Sequence, residues 1–166
     1  MKKKVLLIGG LVLLALIGGL VWYFNQAPEW TEVPEGFVEV DDARFAWKAV
    51  SPDGSVIAIR TRPNEGEGGL EFWREVFELE MVEGKGYRLV ETEDVVSADG
   101  VDGSAMRFEF AQGDTPFHYG LAVYVTSEWI VTLETATELE ALDQYAEAFD
   151  SARGALEVLT VEAPGH

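Results

Sequence analysis

The spacing of apolar residues changes several times along the chain, and each change predicts an element. Residues 5–24, "VLLIGGLVLLALIGGLVWYF", carry no charge and follow "MKKK". As a helix rising about 1.5 Å per residue they would extend roughly 30 Å, the thickness of a bilayer's hydrocarbon core. A tether over residues 25–35, with two prolines, comes next. "RFAWKAV" (44–50) and "SVIAIRTR" (55–62) flank "SPDG", a strong turn sequence, and predict a hairpin. After the loop "PNEGEGG", Leu70, Trp73, Phe77 and Met81 recur at three or four with Phe72, Val76 and Leu79 beside them, predicting a helix over 69–83 that ends at Gly84. Residues 87–98 form one extended or broken strand.

The period then becomes two. Met106, Phe108 and Phe110 alternate with polar residues, and Phe117, Tyr119, Leu121, Val123 and Val125 alternate after "QGDTP". Both sets face one core only in registers such as Phe110 opposite Phe117 or opposite Tyr119; a slip of one residue turns one set outward. Gly120 and Ala122, on the other face, are small enough for a helix to lie close. Residues 129–133 predict another strand. Thr137 and Glu140 have capping-box spacing, and Leu139, Leu142, Tyr145, Phe149, Ala152 and Leu156 predict a helix over 137–153 with Gly154 near its end. Strands joined without intervening helices argue for an antiparallel sheet and against a doubly wound one. The expected class is α+β, an antiparallel sheet flanked by helices in an α/β/α sandwich, preceded by one transmembrane helix.

Composition adds location. The 166 residues are 48% hydrophobic and 25% charged, with no cysteine, which excludes disulfides, thiolate chemistry, cysteine-based zinc sites and a lipid-modified cysteine. Thirteen of the residues at 5–24 are Val, Leu, Ile or Phe; at about −0.3 to −0.6 kcal/mol each they favour insertion. Trp22, Tyr23 and Phe24 fit an aromatic belt, and Lys2, Lys3 and Lys4 fit a cytoplasmic start. A cleaved signal is the rival, and the single small residue in Asn25-Gln26-Ala27 makes a poor cleavage site. Ala15 and Gly19 have helix-dimer spacing, too slight a signal to use. Residues 1–24 are thus expected to form a signal-anchor in the cell (inner) membrane with the N-terminus cytoplasmic. Residues 36–166 are expected to form a periplasmic or extracellular domain, secreted if the anchor is cleaved. Residues 31–166 hold 9 basic and 29 acidic side chains, a net of −20. That field repels nucleic-acid phosphates, so no nucleic acid is expected as partner. Acidity with few lysines fits either salt adaptation or an ordinary soluble surface.

Catalytic constellations are wanting. His118 and His166 are the two histidines, there is no G-x-S-x-G around Ser104, and H-E-x-x-H is absent. His118 is expected as a half-exposed sheet residue. "GEGG" lacks the Lys and Ser/Thr of a phosphate loop and reads as a flexible loop. Acidic pairs such as Asp41–Asp42 and Glu93–Asp94 are too common here to select a site. "SADGVDGSAMRFEF" (97–110) raises calcium binding through Asp99 and Asp102. Read from Asp99 as an EF-hand loop, however, it places Val101 third, Ser104 sixth and Phe110 twelfth, and from Asp94 it fails equally. Gly100 and Gly103 are better read as the backbone freedom of a corner entering a strand. Trp30, Trp47, Trp73 and Trp129 could line a ligand groove but read first as core. No catalytic, cofactor-binding or metal residue is therefore assigned, and no cofactor is expected.

"SPDGSVIAIRTRPN" before a helix, "VDGSAMRFEF" as a small-residue corner entering a strand, "LAVYVTSEWIVTLETAT" as a central hairpin and "YAEAFDSARGAL" as a terminal helix together resemble the PsbP, DcrB and Mog-type superfamily. The likeness spans roughly residues 40–159 and lies in the order of elements, without an invariant motif. It implies an antiparallel sheet between helices and a non-catalytic accessory or interaction module, several such modules working at or beyond a membrane. The expected function is a membrane-anchored, extracytoplasmic accessory or interaction protein with an unidentified protein partner. The alternative is an envelope carrier or sensor holding a small apolar ligand between sheet and helix; a carboxylate-based hydrolase ranks third.

Overall fold

The computed structural model describes residues 33–160. The anchor expected over 1–24, most of the tether and Trp30 lie outside the described residues. Among the described residues no helix is long and apolar enough to cross a membrane.

Seven strands form one antiparallel sheet in the order β1-β2-β3-β7-β6-β5-β4. The expected hairpin is β2 (Trp47–Val50) and β3 (Val56–Pro63). A short β1 (Val38–Glu39), without a sequence signal, extends its edge. In the turn, Asp53 accepts from the hydroxyls of Ser51, Ser55 and Tyr145 and from the backbone N–H of Ser55, while Gly54 takes φ +90°. These bonds hold the Asp53 carboxyl down to about 2, the Ser51 and Tyr145 hydroxyls contributing most.

Helix α1 (Leu70–Leu79) runs into a π turn over Glu80–Gly84, where the Lys85 N–H bonds the Glu80 carbonyl five residues back at 3.0 Å. The expected span is thus filled by two helical geometries. Phe77 and Met81 point inward, but Phe72 and Leu79 are exposed, which narrows the expected apolar stripe. The preceding loop is fastened rather than free. Buried Asn64 bonds both backbone groups of Gly68, the carbonyl of Thr126 and the indole N–H of Trp73.

Strand β4 (Arg88–Val96) has a register break between Leu89 and Glu91 and forms one edge of the sheet. Strands β5 (Asp102–Gln112) and β6 (Thr115–Val125) pair with Phe110 opposite Phe117, one of the two registers that keep both apolar sets together. Strand β7 (Trp129–Glu138) runs past the expected end at 133 and joins the two halves of the sheet through β3. Thr137 is therefore a strand residue opposite His118, 97% buried, its hydroxyl 2.8 Å from that of Ser55. The expected capping box does not form, because the sheet has taken the capping residue. After a 3₁₀ turn (Leu139–Ala141), α2 (Leu142–Ala155) starts without a side-chain cap, and Gly154 lies inside its last turn.

The two helices cover opposite faces, giving the expected sandwich. Phe77 and Met81 pack with Met106, Phe108, Leu121, Val123 and Ile130. On the other face Tyr145, Phe149 and Ala152 of α2 pack with Ile57, Ile59, Tyr124, Val131 and Leu133. Trp73 joins the first core and Trp47 and Trp129 the second, so these three tryptophans help close cores rather than line a groove.

Candidate functional site: the cleft between α2 and the sheet

Alternation sends Ala105 of β5, Gly120 and Ala122 of β6, and Leu133 and Thr135 of β7 to the α2 face. Small side chains there leave α2 standing off the sheet, and a cleft of about 290 Å³ remains. Leu142, Ala146 and Phe149 of α2 form its roof. A Cβ added to Gly120 would lie 2.4 Å from Thr135 Oγ1 and 3.2 Å from His118 Nε2. The glycine thus makes room for the Thr135 hydroxyl, which lies where a side chain would begin, with His118 Nε2 beside it.

His118 is not the half-exposed residue expected from its position beside Phe117. It is 94% buried, because α2 lies over this face and Phe149 stacks on the imidazole at 6.0 Å and 17°. Its Nδ1 has no hydrogen-bond partner. Burial pushes the imidazole below its ordinary value; Arg107 pushes the same way, and Glu109 opposes. Burial thus favours the neutral ring, which offers one donor and one acceptor nitrogen.

The mouth is charged. Arg107 pairs with Glu91 at 3.1 Å, and Arg153 of α2 pairs with Glu93 of β4 and with Asp150 at 3.0 Å. Asp143 adds a fourth carboxylate to the lining. Both arginines are already engaged, so the rim is net acidic.

The other residues singled out in the sequence are placed elsewhere. Asp99 accepts from the Ser97 hydroxyl and from the backbone N–H groups of Val158, at 3.1 Å, and Leu159, at 2.7 Å. It anchors the chain after α2, which explains this aspartate without calcium. Among the described residues, no group of three acidic or histidine side chains is arranged to hold a metal ion. Gly100, at φ +86°, is a turn residue as expected, but Gly103 is not part of the corner. It lies inside β5, where a Cβ would meet the Tyr124 ring at 2.5 Å. Ser104 faces the α1 core side and His118 the α2 side, so no relay joins them. Asp42 is held well below the usual carboxylate range by Arg44 and Lys48, while Asp41 and Asp94 are exposed. Thr135, Arg107 and Arg153 had no sequence signal as site residues. Gly120 and Ala122 had one, read only as room for a helix.

An antiparallel sheet between two helices, without a motif for chemistry, defines the class of the domain by its fold. No protein-family model and no curated protein matches the chain. Solved structures do. Cyanobacterial PsbP (CyanoP) from Synechocystis sp. PCC 6803 matches at TM-score 0.54 and 15% identity, covering 72% of this chain and 79% of that one. PA94 of Pseudomonas aeruginosa, a protein of unknown function, matches at 0.55 and 12%, covering 78% and 86%. LpqN of Mycobacterium tuberculosis, involved in cell envelope biogenesis, matches at 0.60 and 10%, covering 77% and 84%. The chain has a PsbP-like fold.

Proposed function

We propose that the protein is a non-catalytic accessory or interaction module of the cell envelope, held to the cell membrane by residues 5–24 and facing outward. The observation that carries this reading is the charge-free stretch behind three lysines, joined to an acidic domain of PsbP-like fold. One solved neighbour, LpqN, works in cell envelope biogenesis, which suits the same compartment. The absence of catalysis is supported by engagement of the candidate groups. Asp42, Asp53 and Asp99 are held down by ion pairs and hydrogen bonds within the domain, which suits structural carboxylates rather than general acids. The test is protease protection of the full chain in spheroplasts: external protease is expected to reach the domain before lysis. A domain protected until the membrane is broken overturns the topology. Cross-linking in intact cells then seeks the protein partner.

A second reading, a carrier or sensor, is favoured by the cleft. A gap between sheet and helix is what such a protein needs, and here it contains a buried polar side chain that nothing in the domain satisfies. It is tested by ligand-induced change at His118.

A further inference from the structure

We propose that the cleft binds a small, uncharged, mainly hydrocarbon molecule bearing a hydroxyl group, which His118 and Thr135 hold where they line the cleft, and that it rejects carboxylates. The proposal rests on the carrier reading and adds the ligand's chemistry.

Size comes first. About 290 Å³ lies at the small end of ligand sites, enough for a compact ring or short chain. The surfaces meeting that body are apolar, with Ala122 and Leu133 below and Leu142, Ala146 and Phe149 above. Burying hydrocarbon there is the source of affinity.

The polar group follows from His118 and Thr135. A buried polar atom without a partner is uncommon and carries the full cost of its lost hydration. His118 Nδ1 is such an atom, on a ring 94% buried. The Nε2–Cε1 edge of the ring lies against Gly120 together with Thr135 Oγ1, and all three residues line the cleft. A half-turn of the ring exchanges Nε2 with Cε1 on this edge and keeps Nδ1 off it, so Nε2, for which the described residues supply no hydrogen bond either, is the nitrogen that meets a ligand. A hydroxyl both donates and accepts. It can therefore serve the imidazole and the threonine together, which a hydrocarbon cannot.

The charge of the ligand is set at the mouth and on the floor. Glu91, Glu93 and Asp150 already occupy Arg107 and Arg153, and Asp143 stands with them, so an incoming carboxylate meets net negative charge and no free cation on the lining. An ammonium would be drawn to the mouth, but the floor holds no carboxylate to pair with it after desolvation. An uncharged head avoids both costs.

Cyclohexanol is a suitable probe, with cyclohexanecarboxylate as its anionic counterpart, added to the full chain in nanodiscs. The readout is the NMR signal of the imidazole rings, since the chain has only His118 and His166. Cyclohexanol is expected to shift His118 saturably and leave His166 in place, while the carboxylate at equal concentration shifts neither. Ala146→Phe, which fills the roof, should abolish the shift with an unchanged melting temperature. Thr135→Val should weaken binding several-fold and keeps the test open if the Phe variant does not fold. Binding of the carboxylate as tight as the alcohol overturns the proposed chemistry and leaves the carrier reading standing. No change at His118 with either probe overturns both. A shift that survives Ala146→Phe places the alcohol elsewhere and overturns the site.

Discussion

The two faces of the sheet are built from the same strands but are filled differently. Under α1, Met106, Phe108, Leu121, Val123 and Ile130 meet Phe77 and Met81 in one buried cluster. Under α2, the residues between those positions include Ala105, Gly120 and Ala122, and the helix stands over a cleft. Alternation therefore assigns large side chains to one face and small ones to part of the other. The filled face supplies stability, and the unfilled one leaves room for something not in the chain.

Four substitutions would break or sharpen that contrast. Phe108→Ala empties the filled face at a residue with no exposed surface. A loss of about 3–5 kcal/mol is expected in urea unfolding, with cleft binding intact. Gly103→Ala tests close approach on the α2 face: its Cβ would press into Tyr124, which is itself fully buried, and should cost about 1–3 kcal/mol. Asp99→Ala releases the segment beyond α2 by removing an acceptor from two backbone N–H groups, and about 1–2 kcal/mol should be lost at pH 7. Because hydrogen bonds from Ser97, Leu159 and Val158 outweigh burial and hold this carboxyl down, its contribution is present above the unfolded pKa and fades as pH falls below it.

The smallest expected effect is visible only against pH. The folded pKa of His118 lies below its ordinary 6.5, so the unfolded chain takes up the proton first. Stability is then level above about pH 6.5 and declines as pH drops below it. His118→Phe should flatten that decline down to the onset of carboxylate titration, as followed by thermal melting at stepped pH. A wild-type melting temperature that is level from pH 7 to about pH 5 would mean that the imidazole accepts its proton in place, and that the cleft is wetter than its lining suggests.

Much of the sheet was legible because its information is local. The two-residue period of Met106–Phe110 and Phe117–Val125 limited the register to a few choices, and the structure takes Phe110 opposite Phe117. The stripe at Tyr145, Phe149 and Ala152 marked the inward face of α2. Its start departs from the local pattern because Thr137 has the chemistry of a cap but is claimed by a long-range partner. Ser55, far back in the chain, meets its hydroxyl, and His118 stands opposite it in the sheet. The π turn at Glu80–Gly84 and the fastening of the glycine loop by Asn64 likewise depend on contacts that no local pattern carries.

The cleft divides in the same way. That Gly120 and Ala122 are small and lie opposite Phe117 and Tyr119 across the strand was readable from the residues alone, since strand geometry alternates sides whatever the tertiary context. The acidity of the domain, the absence of cysteine and the scarcity of histidine were equally properties of the sequence. Whether α2 would close onto those small residues was not, because the gap is set by the sum of side-chain volumes from four strands and a helix. Tertiary structure alone placed the Phe149 ring on His118, brought Thr135 beside it, and strapped Arg153 to Glu93 at the mouth. Through that burial an unremarkable sheet histidine became a neutral imidazole with an unpartnered nitrogen.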